Sequence, residues 1–166
     1  PADQAGILSF HPQLLESMLK NQKICPQVLA EFIRGAETDA LILLIETQSL
    51  EIETLIKLAD NAKPELAKEL IITSENHPDI IRKLSRGNKE ILYTLALYAE
   101  LNSSQIAQLF SDADRLLIFI LAKRGFTCPD LPGLIAQDLV NDSLPSIREF
   151  ALSSKELIPQ SQTTQD

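Results

Sequence analysis

The 166-residue chain contains no Trp, aromatic residues make up only 5% of it, and it has just five Gly and two Cys. Each shortage excludes something. Gly this sparse cannot build a glycine-rich phosphate loop, and no G-x-S-x-G, H-E-x-x-H or C-x-x-C pattern occurs. The longest uninterrupted apolar run, Leu116 to Ala122, falls far short of the roughly 20 residues a bilayer span requires. No signal peptide is visible, and the chain starts at Pro1 rather than Met, which points to a processed or excised product. Basic residues are in deficit, 15 against 23 acidic, for a net charge of −8. A nucleic-acid surface requires clustered Lys and Arg, so that balance argues against nucleic acid as a partner. No stretch alternates with period two for long enough to make a sheet.

What the chain does have is proline that keeps time. Pro12 and Pro26 stand 14 residues apart, as do Pro64 and Pro78, and again Pro145 and Pro159. A fixed period of this order marks a repeat array, in which each unit buries its apolar face on its neighbours. Pro at a first helical position loses no hydrogen bond and presets φ. The residue before each Pro avoids the α region, so His11, Cys25, His77 and Cys128 mark helix boundaries.

Two helix types follow from this punctuation. Type B is read from starts at 12, 38, 64, 90, 115 and 145, and type A from 26, 52, 78, 104 and 129. Two residues past each B start stand Leu14, Ala40, Leu66, Leu92, Leu117 and Ile147. Six past stand Met18, Leu44, Leu70, Ala96, Leu121 and Ala151, and seven past stand Leu19, Ile45, Ile71, Leu97, Ala122 and Leu152. All are apolar, and offsets of two, six and seven share one side of a helix with 3.6 residues per turn. Leu44, Leu70, Leu97 and Leu121 are therefore expected in the core. Gly35, Gly87 and Gly125 fall at helix ends, where a left-handed residue is wanted. The organisation expected is a lead-in over 1–10, one repeat domain over 11–159 and a polar tail over 160–166. The fold class is all-α, with about five two-helix repeats of 25–26 residues.

Chemistry is hard to place on this frame. Equivalent positions in a repeat array are strung along its axis, so His11, His77, Cys25 and Cys128 do not gather around one metal. The two cysteines are expected too far apart for a disulfide, and unpaired thiols suit a reducing compartment, the cytoplasm. Glu51 with Glu53, and Glu65 with Glu69, are the nearest carboxylate pairs, but near helix starts they serve the macrodipole. Arg82, Lys83 and Arg86 read as a solvated helix face. No catalytic residue, metal ligand or cofactor site is assigned.

The segments His77-Pro78-Asp79-Ile80-Ile81-Arg82-Lys83-Leu84, His11-Pro12-Gln13-Leu14-Leu15 and Cys25-Pro26-Gln27-Val28-Leu29 resemble the HEAT-like and variant leucine-rich repeats of bacterial proteins. The likeness covers about residues 11 to 159. It implies a right-handed α-solenoid that binds proteins or peptides. An iron–sulfur cluster, found in one variant type, needs four thiolates that this chain does not have. A basic groove for DNA, found in another, conflicts with the acidic balance.

The expected function is thus a non-enzymatic interaction module, one part of a larger assembly or a regulator. The alternative is a small-molecule or catalytic site in the solenoid groove. A third reading is self-assembly through uncapped ends of the array. The expected partner face lies at offsets one, five and eight of the later B helices. There Ile91, Leu95, Tyr98, Leu116, Ile120 and Phe150 replace the polar Gln13, Ser17, Glu65 and Glu69 of earlier units. A protein partner or a second copy of the chain would cover it.

Overall fold

A computed structural model describes residues 17, 20, 24–109, 114–128 and 133–154. The described residues form ten α-helices and no strand: α1 Pro26–Gly35, α2 Thr38–Thr47, α3 Ile52–Leu58, α4 Pro64–Thr73, α5 Pro78–Leu84, α6 Lys89–Tyr98, α7 Ser103–Leu109, α8 Arg115–Lys123, α9 Gly133–Leu139 and α10 Pro145–Leu152. A single 3-10 turn, Ala59–Asn61, extends α3. The chain divides into two compact units, the first ending at Arg86 and the second beginning at Gly87.

Local sequence explains where the helices begin. Pro opens α1, α4, α5 and α10, each after an extended or non-helical residue. At α6 and α8, which lack Pro, a polar side chain takes over, whereas α2 and α3 follow Glu37 and Glu51 without a side-chain cap. Asn88 accepts from the Ile91 amide at the start of α6, and Asp114 from the Leu117 amide at the start of α8. Either solution deals with first-turn donors that have no partner inside the helix. His77 belongs with the caps: its Nδ1 accepts from the Asp79 amide at 3.3 Å. That is a boundary role, in keeping with the pre-Pro pattern. His11 lies outside the described residues.

Type B helices stack on one another within each unit, and type A helices add Ile80, Ile81, Leu84 and Ile106 to the core. In the first unit α2 packs on α4, while α3 and α4 each pack on α5. In the second, α6 packs on α8, α8 on α10, and α9 on α10. Within each unit, then, alternate helices stack and shorter helices flank them, the packing pattern of α-helical repeat proteins. Leu44, Leu70 and Leu121 are fully buried, with Ile71, Ile80 and Leu117 among the largest enclosed side chains.

Leu97 departs from expectation, being 47% exposed. Its neighbour Ala96 is fully buried, as is Leu95. The cause is a register of one residue. With Asn88 as the cap, α6 begins at Lys89, not 90. Counted from Lys89, offsets two, three, six and seven are Ile91, Leu92, Leu95 and Ala96, all buried. The same offsets in α4 are Leu66, Ala67, Leu70 and Ile71, also all buried. The α7 helix begins one residue early too, at Ser103. The stripe survives in corrected register, and Leu97 moves to the outside. Leu152, also placed in the stripe by sequence, is 57% exposed, because α10 buries Ile147, Phe150 and Ala151 instead.

Glycine usage differs from expectation as well. Among the described glycines only Gly125 has positive φ, +74°, and the other described left-handed positions are Glu75 and Asn76 after α4. Gly87 is required for another reason: a Cβ there would lie 2.8 Å from the Ile91 side chain. Gly35 is the last residue of α1 and has open space around it.

Candidate protein-binding face

The outer side of each type B helix carries the residues one, four and eight positions past its first residue. In α2 these are Asp39, Ile42 and Glu46, and in α4 they are Glu65, Lys68 and Ile72. In α6 they are Glu90, Tyr93 and Leu97, and in α8 they are Leu116, Phe119 and Lys123. Charge is thus less frequent on α6 and α8 than on α2 and α4, where Ile42 and Ile72 are already apolar, and α10 is polar again at Ser146 and Glu149. Leu116 is 51% exposed and Tyr98, at the end of α6, is 45% exposed. Together with Leu97 they are three of the five large hydrophobic side chains most open to solvent among the described residues.

The six residues expected to form a partner face divide in two. Tyr98 and Leu116 are exposed and Ile120 is half-buried. Ile91, Leu95 and Phe150 belong to the core, at 3%, 0% and 2% exposure. The one-residue register of α6 accounts for Ile91 and Leu95. Phe150 is buried because α10 rests against both α8 and α9. The sequence columns place Leu97 in the core instead, and Phe119 stands in none of them. The signal that finds Leu97 is Asn88, whose preference for the cap position fixes the start of α6.

Polar contacts pin α6 against α8. Asp114 caps α8 through Oδ1, while its Oδ2 accepts from the Tyr93 hydroxyl and lies 3.4 Å from the Lys89 ammonium. The Tyr93 hydrogen bond is the main cause that holds the Asp114 carboxyl below its usual range, followed by the Leu117 amide. The same hydrogen bond raises the Tyr93 phenol. From the other end of α8, Arg124 Nη1 donates to the carbonyls of Ala96 and Ala99 at 2.9 and 2.7 Å. Its guanidinium lies 4.8 Å from the centre of the Phe126 ring. Arg115 grips Asp142 through two hydrogen bonds of 3.0 Å and adds one to Ser143 Oγ. Chiefly for that reason the Asp142 carboxyl is lowered to about 2, with help from the Leu144 amide. These contacts fix the helices beneath the apolar side chains and leave Leu97 and Leu116 to solvent.

Elsewhere the expected chemistry is absorbed by structure. Arg82 pairs with Asp79 at 2.7 Å, and Lys83 pairs with Asp60, so that basic patch is largely neutralised. Glu69 sits 3.5 Å from Lys68, while Glu65 is an exposed first-turn residue of α4. Among the described residues no group of three or more His, Cys, Asp or Glu is arranged to hold a metal. Neither Cys25 nor Cys128 is in a disulfide; Cys128 is buried, and its backbone amide donates to Ser153 Oγ. No described helix is long and apolar enough to cross a membrane.

One concavity is prominent in the first unit. A groove of about 830 Å³ lies between the α1–α2 turn and the segment joining α3 to α4. Its charged rim consists of Arg34, Glu37, Asp39, Lys57, Asp60 and Lys63, and Ile33 and Ala36 give it a partly exposed apolar floor.

No protein-family model, curated protein or solved structure matches this chain.

Proposed function

We propose that this chain is a non-enzymatic protein-interaction module of α-helical repeats, the pairs being units of 25–26 residues related to HEAT-like arrays. The observation that carries the reading is the presence of Leu97, Leu116 and Phe119 on the outer sides of α6 and α8, with the exposed Tyr98 at the end of α6, where α2 and α4 carry more charge. Exposed apolar side chains grouped with an aromatic are the raw material of interface hot spots. Below them, the stripe, the Asp114 contacts and the Arg124 contacts hold both helices without using these residues. Thiols outside disulfides suit work in a reducing compartment such as the cytoplasm.

The runner-up reading, a small-molecule or catalytic site, rests on the groove of the first unit, whose volume falls in the usual range for ligand pockets. The module reading is tested by Leu97→Glu combined with Leu116→Glu. Native pulldown and sedimentation should show loss of a partner protein or of self-association, with the circular dichroism melt retained. If the double variant keeps every association of the parent chain, the partner-face reading falls.

A further inference from the structure

We propose that His77 is an acid-sensitive latch on the start of α5, closed while its imidazole is neutral and released when the imidazole gains a proton. The turn that it closes is strained. Glu75 and Asn76, the two residues before it, have φ of 50° and 62°. Neither is Gly, and backbone of this kind persists only where its surroundings hold it. Main-chain bonds supply part of the hold: the amides of Asn76 and His77 donate to the carbonyls of Ile71 and Ser74.

A side chain supplies the rest. The first turn of a helix has amides with no acceptor inside the helix. In α5, Pro78 has no amide hydrogen, and the Ile80 and Ile81 amides both donate to the His77 carbonyl. That leaves the Asp79 amide, which donates to His77 Nδ1 at 3.3 Å. Such a bond requires Nδ1 without hydrogen, hence a neutral imidazole with its proton on Nε2. The other described helices that open with Pro, α1, α4 and α10, follow Cys25, Lys63 and Leu144 and have no side-chain cap.

Protonation turns Nδ1 from an acceptor into a second donor facing the Asp79 amide. It also puts a cation at the end of α5 where the macrodipole is positive. Nearby charge does not make good the loss. Within the segment, Glu75 is exposed, and the Asp79 carboxylate accepts from Arg82 at 2.7 Å. The elements packed on α5 bring Glu53 and Lys57 from α3, Asp60 from the 3-10 turn, and Glu65, Lys68 and Glu69 from α4. Asp60 pairs with Lys83, and Glu69 with Lys68. Among the described residues His77 has no ion pair. Histidine changes charge between about pH 5 and pH 8. Ile80, Ile81 and Leu84 are buried, so acid frees the α4–α5 turn and the first turn of α5 while the rest of the helix stays packed. The latch is independent of the apolar side chains on α6 and α8.

The test compares the full chain with His77→Asn and His77→Ala. Asn caps helices without titrating, whereas Ala does neither. At about pH 8 the Asp79 amide, followed by NMR, should exchange about 2–30-fold more slowly in the parent and in His77→Asn than in His77→Ala, the range that a helix cap implies. At about pH 5 the parent should match His77→Ala, while His77→Asn keeps its protection. Chains are compared at one pH, so the pH dependence of exchange itself cancels. Nitrogen-15 spectra of the parent, with His11→Gln to assign the two rings, should show His77 Nδ1 without a proton at about pH 8. Three results overturn the proposal: a proton on Nδ1 under those conditions, equal exchange in the parent and His77→Ala there, or a parent that stays level with His77→Asn through the acid range.

Discussion

The helices α4 and α6 are built on the same plan and differ on their outer sides. Each is ten residues long and buries offsets two, three, six and seven. On the outside, α4 shows Glu65, Lys68 and Ile72, whereas α6 shows Glu90, Tyr93, Leu97 and Tyr98. The two helices also start differently, α4 with Pro64 and α6 with Lys89 under an Asn88 cap. Two demands thus fall on one repeat. The inner stripe must be apolar in every copy, because stacking is its only way to leave water. The outer side is free to vary, and there the two units of this protein diverge.

The sharpest way to break that comparison is to put the same charge at nearby positions of α6. Leu95→Glu buries an unpaired carboxylate in a fully enclosed site and should abolish cooperative melting. Leu97→Glu, two residues on and half exposed, should leave the melt nearly unchanged. If the two variants melt alike, α6 does not have the register that an Asn88 cap imposes. Next in size is Leu70→Ala in α4, which should cost about 2–5 kcal/mol in denaturant unfolding, as large-to-small changes at enclosed sites do. Asn88→Ala removes the α6 cap and should cost about 0.5–2 kcal/mol by the same measurement.

The smallest effect is a pH dependence. Asp142 has its folded-state pKa depressed to about 2, chiefly by Arg115. A depressed carboxylate contributes stability that is present above its unfolded value, roughly 4, and is lost as pH falls through the folded value. Thermal melts of the parent chain and of Arg115→Gln should therefore differ at neutral pH and converge between about pH 4 and pH 2. A difference that stays constant across that window would show that Arg115 acts other than through Asp142.

Much of the fold is legible in proline and leucine alone. Pro26, Pro64, Pro78 and Pro145 each open the helix they announce, and Leu44, Leu70 and Leu121 are as buried as the columns require. Legibility fails at α6, although α2, α3 and α8, also without Pro, begin where the columns put them. At α6 only the matching of columns sets the start, and Ile91, Leu92, Leu95, Ala96 and Leu97 are apolar in any register. A run with too many apolar residues cannot report its own phase; the polar cap beside it can. That single residue moves two members of the expected face into the core. Phe150 is beyond reach for a different reason, since its burial depends on how α10 meets α8 and α9. The groove is equally hidden, because Arg34, Lys57 and Lys63 are scattered along the chain and only the fold brings them to one rim.

Arg124 carries a consequence for how the second unit comes apart. Its guanidinium follows α8 in the chain yet completes the carboxyl end of α6, donating to the carbonyls of Ala96 and Ala99. One helix thus cannot fray without stranding a charge on the next. In a linear array whose stability is a sum of intrinsic and nearest-neighbour contributions, a bond of this kind raises the neighbour coupling and leaves the intrinsic part alone. The second unit should therefore melt as a block where a purely apolar stack would peel, and hydrogen exchange at the end of α6 should track the opening of α8.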